Sequence, residues 1–555
     1  MGQLYYSFSN EGSGRPYSNP PAGPEVAGMD SSCVVLDETK VVFASLAERF
    51  TKVPHDYAEP HLALEAFKNY FDFSDYWEPI ESDEKLTPGD LYIKSQDGKK
   101  KVIVKNLTEN ELERDSFRSY MYTSFYQSGF KDAGFFLNGN VGADYGACIG
   151  LGYIKEGEDG LLLEAFPAEA SPCGVYGEAS LQVFKKPFCE SAFCGLATRG
   201  KDTGEKFIYW DEDKKCIVAA GENNCREFIQ KHLKEHYGDF DDVYEVRDFA
   251  ATIQKNFEEV TLHVVAHLKE LLEENGLHTE NLCMFNGGVF NYATDVRILE
   301  SGIFKNYFAP PNPSAGSGEA IGRALRRMHH SGIKLKSHRF ETPFLGVTYP
   351  IEDLIYRHEI LHNAKQDMTE FLQKGGVLGW YHGGAEYSVI TDGHRTFLAD
   401  PVKVAEENII GKFKRRPDWQ PIASIIPEEL LPVVTTNECF DEIAGIVPSR
   451  PKEEWIPKMK CACADDGTYA CTVCYKDRDP QLYDFLMYYY EKTGIPCLAI
   501  SSLNVHGFPM VETPRDYCHL IEELEYSENT PDIKYIYVDG DDYHEVYPKK
   551  SENFG

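Results

Sequence analysis

The sequence predicts an α/β protein built from two units. Three observations carry this: the length, a recurring order of short apolar strand, glycine turn and amphipathic helix, and a change of texture near residue 341. With 555 residues, the chain has room for two to four domains at roughly 150 residues each. A composition of 42% hydrophobic and 13% aromatic residues supplies a sizeable core. The units are expected at 1–340 and 341–555, the second beginning after the basic segment Arg323 to Arg339.

Leu4 to Ser9 alternates like a first strand, and the Gly-, Pro- and Ser-rich stretch Asn10 to Gly28 reads as a long loop. Ser32 to Leu36 and Val41 to Ser45 flank Asp37-Glu38-Thr39 as a β-hairpin. A helix follows over Pro60 to Phe71, then strands at Leu91 to Lys94 and Lys101 to Val104. Gly134 to Asn138 and Ala147 to Gly152 form a second hairpin-like pair. Ile253, Phe257, Val260, Val264, Leu268, Leu271 and Leu272 recur at helical spacing, so a long helix runs from Phe249 to about Asn275. Leu282 to Phe285 is a short buried strand ending at Asn286-Gly287-Gly288. Gly316 to Arg327 opens a further helix with Gly316-x-Gly318 at its mouth. Strand, glycine turn, helix is where backbone N–H groups are free to bind an anion, so both clusters suit the ribose and phosphates of a nucleotide. Tight packing of helix on strand is the other reading. In the second unit, Phe344 to Val347 reads as a strand, Ile351 to Lys374 as a helix and Gly376 to Tyr381 as a strand.

The formal charge of −33 gives no electrostatic steering towards nucleic acid, so any phosphate ligand must be met by a local cradle. No run reaches the ~18 apolar residues of a membrane helix, and the first residues lack the pattern of a signal peptide. The fifteen cysteines are dispersed and read as thiols of a cytoplasmic protein.

His358-Glu359-Ile360-Leu361-His362 has the His-Glu-x-x-His pattern that places two zinc ligands on one face of a helix, with Glu386 as a third ligand; a polar helix face fits as well. Cys461, Cys463, Cys471 and Cys474, with the turn Asp465 to Thr468 between the pairs, fit either a structural zinc site or thiols in adjacent strands. Lys412, Lys414, Arg415 and Arg416 form a basic run in an acidic protein, the best phosphate candidate in the second unit. Nucleophile elbows, Walker motifs and Rossmann fingerprints do not stand out.

Several strings then fall into one order. Glu48-Arg49-Phe50-Thr51-Lys52, Ser124 to Phe130, the helix from Phe249 to Glu259 and the Gly287-Gly288…Gly318 stretch resemble, in sequence, the O-carbamoyltransferases of nodulation-factor and antibiotic biosynthesis. So do Gly393-His394-Arg395-Thr396-Phe397-Leu398-Ala399-Asp400-Pro401, where that family has Gly-Asn-Arg-Ser-Ile-Leu-Ala-Asp-Pro, and Ser502 to Pro514. The resemblance implies an actin-like ATPase-fold N-terminal domain, duplicated and related to the tRNA threonylcarbamoyl-transfer protein, and an α/β C-terminal domain that makes carbamoyl adenylate from ATP and carbamoyl phosphate. It implies transfer of the carbamoyl group to a small-molecule acceptor in natural-product biosynthesis, aided by an iron ion. Carried onto this chain, Asp30, Lys414 and Arg416 take catalytic roles. Arg395, Lys414 and Arg416 meet phosphates, Ser502 and Asn504 line the nucleotide pocket, and Gly287, Gly288, Asn291 and Gly318 hold a nucleotide or the adenylate.

The departures fall on catalytic positions. The family's His-Asp becomes Met29-Asp30, and its His-His-x-x-His falls on Ser116 to Tyr120, without an imidazole. The family's two acidic ligands fall near Gly139 or Asn140 and near Gly316, where this chain has no carboxylate. The iron site is therefore expected to be absent, because a hard cation needs anionic or imidazole ligands. In the second unit one family Arg becomes Ile390 and another Gln420, while Lys414 and Arg416 are kept. The expected function is a divergent carbamoyltransferase. The alternative is a catalytically degenerate subunit that pairs with a complete paralogue, and a homo-dimer or hetero-dimer is open.

Overall fold

A computed structural model describes residues 3–9, 31–52, 61–79, 90–106, 116–139, 147–221, 224–314, 317–388, 390–527 and 529–548. Asp30, Asn140 and Gly316 lie outside the described residues, as does the expected loop at 10–28. The architecture is mixed α/β, with three main sheets and a small hairpin, Ile208–Asp211 with Cys216–Ala219.

The first sheet runs in the order Val41–Leu46, Ser32–Leu36, Leu4–Ser9, Lys100–Asn106, Glu78–Pro79, with Leu91–Lys94 also paired to Lys100–Asn106. Its first three strands form an antiparallel meander, and Lys100–Asn106 joins parallel beside Leu4–Ser9. The second sheet repeats this plan. Asp132–Asn138, Ala147–Lys155 and Leu161–Pro167 make the meander. Asn281–Phe285 and Asn306–Phe308 then add in parallel beside Asp132–Asn138. The helix Arg247–Glu274 covers this sheet because its apolar positions fall on one stripe: Ile253, Phe257, Val260, Val264, Leu268 and Leu272 are all buried. Each such side chain contributes about 1.5–3 kcal/mol when taken from water. The helix Glu319–His330, which starts just after Gly318, packs beside the helix Ser116–Ser128 and against the strands Leu4–Ser9 and Ser32–Leu36 of the first sheet.

The third sheet has the order His358–Ile360, Asp542–Val546, Ile533–Asp539, Val377–His382, Arg395–Ala399, Leu498–Ser502, Ser424–Pro427, Tyr469–Cys474, Val447–Ser449. Successive residues of a strand face opposite sides. Leu378, Trp380, Leu398 and Ile500 pack towards the helices Ala364–Gln373 and Pro480–Thr493. Tyr381, Phe397 and Ala499 pack on the other face with Tyr517 and Ile521 of the helix Pro514–Glu525.

Two expectations fail here. Phe344 to Val347 is not a strand, and the helix expected over Ile351 to Lys374 is confined to Ala364–Gln373. His358–Ile360 is instead an edge strand, antiparallel to Asp542–Val546, so sheet pairing overrides the helical reading. The units touch directly. Ala309 bridges to Ile443, Ala44 N–H donates to Leu345 O at 3.0 Å, and Ser388 Oγ donates to Pro311 O at 3.1 Å. No helix among the described residues is long and apolar enough to cross a membrane.

Candidate functional site

The short helix Ile409–Phe413 is pinned where Phe413 meets Phe397 edge-on, 5.1 Å between ring centres. Its chain then turns sharply: Arg415 has φ 51°, and Arg416 N–H donates back to Gly411 O at 2.8 Å. That turn aims Lys414 at the end of the strand Leu498–Ser502. Its ammonium donates to Ser502 O at 2.8 Å, to Asn504 O at 2.9 Å and to the Asn504 amide oxygen. The Ser502 hydroxyl donates to the same amide oxygen at 2.8 Å. Every one of these acceptors is neutral. Burial first, and then the charge of Arg416, hold Lys414 well below the ordinary lysine range. Burial also lowers Arg416. His506 is depressed by burial and by the fields of Lys414, Arg415, Arg416 and Lys186. Among the described residues no carboxylate pairs with Lys414 or Arg416. In a chain of charge −33, this is a concentrated and uncompensated positive pocket.

Arg395, expected to grip phosphate, is placed otherwise. It is fully buried and stacks on the Tyr381 ring at 3.5 Å. Its guanidinium donates to His382 O at 2.5 Å, Gly383 O at 2.8 Å, His394 O at 3.1 Å and Glu512 O at 3.3 Å. Four carbonyls take up both terminal nitrogens, so the side chain clamps the main chain.

In the first unit the strand Asn281–Phe285 ends at Asn286, whose φ of 78° turns the chain into Gly287-Gly288. Gly287 faces open space, whereas a Cβ on Gly288 would lie 2.4 Å from Asn138 Nδ2 and one on Gly318 2.2 Å from Asn312 O. Gly288 and Gly318 are therefore glycines of close packing. Asn291 caps the helix Tyr292–Ser301 through Thr294 N–H at 3.1 Å. It also exchanges two amide hydrogen bonds with Gln254, at 3.0 and 2.9 Å. Asn286 Nδ2 is buried and has no hydrogen-bond partner. Gly287 and Asn286 are thus what the turn leaves for a ligand.

The iron implied by the resemblance does not fit the residues described. Ser116 to Tyr120 opens the helix Ser116–Ser128, where Phe117 packs on Phe135 and Tyr120 stacks on Phe285, 4.9 Å between centres. Arg118 Nε donates to Gly160 O at 2.6 Å. Gly139 is held against the Asn286 amide. No imidazole or carboxylate stands among these positions.

Two sequence motifs dissolve. His358 and His362 do not share a helix face, since His358–Ile360 is a strand. Glu386 Oε1 accepts main-chain N–H bonds from Asp392, Gly393, His394 and Arg395, between 3.0 and 3.3 Å, which makes it the organiser of that loop. The four cysteines are not gathered either. Cys471 and Cys474 stand three apart on one strand and so face opposite sides. Cys471 Sγ donates to Val447 O at 3.4 Å and Cys474 Sγ to Asp479 O at 3.8 Å, while Cys463 Sγ bonds Met459 O at 3.4 Å.

Between the units lies an open cleft of about 1090 Å³, lined among others by Arg339, Phe344, His382, His394 and Arg478. Glu442 holds Arg478 at 2.8 Å and Arg339 at 3.2 Å. His382 Nδ1 lies 3.2 Å from Asp479 Oδ1, and His394 Nε2 lies 3.3 Å from Asp479 Oδ2. Phe344 stacks flat on His394 at 3.4 Å. Sequence reading misses this trio because its members come from a strand end, the bend before the next strand and a helix cap some hundred residues on.

The family models place this chain. The carbamoyltransferase N-terminus model matches residues 218–325 and the carbamoyltransferase C-terminus model residues 369–528. The chain belongs to the carbamoyltransferase family. It is 24% identical over 445 residues to nodulation protein NolNO of Sinorhizobium fredii, across 74% of this chain and 62% of that protein. An uncharacterized protein of Methanocaldococcus jannaschii is 25% identical over 417 residues, 72% of this chain and 62% of that one. The 3'-hydroxymethylcephem-O-carbamoyltransferase of Streptomyces clavuligerus is 24% identical over 233 residues, 39% of this chain and 42% of that enzyme. The matches thus span less than two thirds of these relatives' lengths. Among solved structures, component A of the (R)-2-hydroxyglutaryl-CoA dehydratase of Acidaminococcus fermentans aligns at 12% identity and a TM-score of 0.29, over 59% of this chain and 97% of that one; so low a score carries no argument.

Proposed function

We propose that this protein is a divergent carbamoyltransferase that binds ATP and carbamoyl phosphate, forms a carbamoyl adenylate in its second unit, and passes the carbamoyl group to a small-molecule acceptor. The observation that supports this is the pocket of Lys414, Arg416, Ser502 and Asn504. Lys414 has neutral partners only, and among the described residues no carboxylate pairs with it or with Arg416, which is the electrostatic state of a site that awaits an anion. In the proposed half-reaction water cleaves carbamoyl phosphate to carbamate and inorganic phosphate, a carbamate oxygen then attacks the α-phosphorus of ATP, and pyrophosphate leaves with the bonding electron pair. Lys414 and Arg416 would neutralise the phosphate oxygens on which charge accumulates. The repeated plan of the first two sheets, a three-strand meander with a parallel strand beside its first member, supports an actin-like, duplicated first unit. Gly287 and Asn286 would then meet the nucleotide or adenylate there.

A second reading is favoured by one specific observation. The positions that align with the family's iron histidines, Ser116 to Tyr120, open a helix in which Phe117 packs on Phe135 and Tyr120 on Phe285, so these described positions offer a metal no imidazole. On that reading the chain is a degenerate subunit that completes its chemistry on a full-length paralogue. Pyrophosphate release from ATP and carbamoyl phosphate by the pure protein separates the two. Release that falls at least about tenfold in Lys414→Met supports the enzyme. No release with wild-type protein overturns it and favours the subunit.

A further inference from the structure

We infer that His382, His394 and Asp479 form a binding site for a divalent first-row transition-metal ion, with zinc as the natural probe, at the wall of the cleft between the two units. One ligand atom from each residue lies within 4.8 Å of the other two, so all three converge on one point. His394 and Asp479 are more than nine-tenths buried. His382 Nδ1, His394 Nε2 and Asp479 Oδ2 are all buried, yet none of them makes a hydrogen bond of acceptable geometry. Three unpartnered polar atoms facing one another in a protein interior are costly unless something sits between them.

The tautomer sharpens the point. His394 Nδ1 lies 2.7 Å from Gly384 O, and a carbonyl can only accept, so Nδ1 carries the hydrogen. In the neutral ring, Nε2 is then a lone pair, and it points at the carboxylate oxygen of Asp479 from 3.3 Å. Lone pair meets lone pair, and a cation between them turns that repulsion into two bonds. A metal-bound imidazole whose other N–H donates to a main-chain carbonyl is the usual outer-shell arrangement. Two imidazoles and one carboxylate suit zinc, iron(II) or manganese rather than magnesium or calcium.

The scaffold holds each ligand firmly. His382 ends the strand Val377–His382, and its Trp380 neighbour on the same face is buried. Asp479 is fixed by capping the helix Pro480–Thr493, Leu482 N–H donating to Oδ1 at 3.1 Å. Phe344 lies flat on the His394 ring and fixes its plane. Gly383, at φ 44°, lets the chain pass close over the same ring, where a Cβ would lie 3.1 Å from His394 Cε1. His394 stands where the resembling family string has asparagine, so the site is a property of this chain's own sequence. Three protein ligands leave at least one coordination position for water or for an oxygen of a phosphate or carboxylate. The inference is independent of carbamoyl transfer, since it concerns metal affinity alone.

The test uses the full chain, stripped with a chelator, titrated with zinc and separately with cobalt(II). Wild type is expected to take up one zinc per chain and to show the visible cobalt bands of a site with nitrogen ligands. His394→Asn and His382→Gln are each expected to lower zinc affinity by at least about 100-fold, the upper end of what outer-shell changes alone cost. Asp479 is left intact because it also caps a helix, and circular dichroism on both variants confirms that they fold. Failure of the wild type to bind zinc overturns the inference. So does stoichiometric zinc that survives in the His382→Gln/His394→Asn double variant, which would put the metal elsewhere.

Discussion

The turn after Phe285 and the pocket at Lys414 both sit at strand ends, and both are lined by groups that could hold a nucleotide. They differ in what the protein has already done with those groups. At the turn, Asn291, Gln254 and Thr294 satisfy one another, and Gly288 and Gly318 are filled by neighbouring backbone and side chains. Around Lys414 the hydrogen bonds are made, yet the charge is not matched. A hydrogen-bonding group can be closed internally at little cost. A buried ammonium without a counter-ion keeps an unmet demand for an anion. The comparison therefore separates residues that build the fold from residues that wait for a ligand.

Lys414→Met should show the largest effect. It preserves the volume beside Phe397 and removes the charge. A charge-assisted hydrogen bond is worth about 1.5–3 kcal/mol, so ATP affinity by calorimetry should fall roughly 10- to 100-fold. Unchanged affinity would mean that the pocket is a packing feature like the turn. Asn291→Ala is the counterpart on the other side. It removes one partner from each end of the Gln254 amide, which keeps Tyr176 and Glu258, and strands the Thr294 N–H in a buried place, and should lower unfolding free energy in urea by about 1–3 kcal/mol. Pyrophosphate release should stay as in wild type; a loss of activity without a loss of stability would return Asn291 to ligand binding.

Acid–base behaviour gives a third separation. The folded value of Lys414 is depressed, so the ammonium loses its proton below the ~10.4 of a free lysine. As pH rises through that lowered value, phosphate affinity should fall by up to about tenfold per pH unit. Stability of the empty protein should move the other way. Between the folded and unfolded values the unfolded chain binds more protons, and stability rises with pH. Opposite slopes in a calorimetric and a urea series would tie both to one buried cation. Parallel slopes would remove Lys414 as the cause.

Much of the architecture is legible in the sequence because it rests on periodicity. The long helix is readable from Ile253 to Leu272, and the hairpins from their alternation. Lys414, Ser502 and Asn504 are also legible, since they lie in two distinct strings, the basic run and Ser502 to Pro514. Arg395 is not, because an arginine in a motif does not reveal which face of a strand it takes; here it faces Tyr381 and four carbonyls. The helical reading of His358 to His362 fails at a sheet edge, where pairing with Asp542–Val546 decides the conformation. The same strand alternation separates Cys471 from Cys474. The trio at the cleft has no local signature at all, since only the pairing of Val377–His382 with Arg395–Ala399 brings His382 beside His394.

The smallest effect discriminates most finely, because it sets two adjacent glycines against each other. A Cβ on Gly287 meets nothing within 4 Å, and its φ is not in the left-handed region. Gly287→Ala should therefore stabilise the empty protein slightly, by about 0.4–1 kcal/mol, through the lost freedom of the unfolded chain. Gly288→Ala must push against the Asn138 amide and should destabilise by about 1–3 kcal/mol. If nucleotide or adenylate lies on the turn, the new methyl at position 287 occupies its space, and affinity drops although stability rises. If affinity is unmoved, the open face of Gly287 is bare surface, and the Lys414 pocket alone carries the nucleotide.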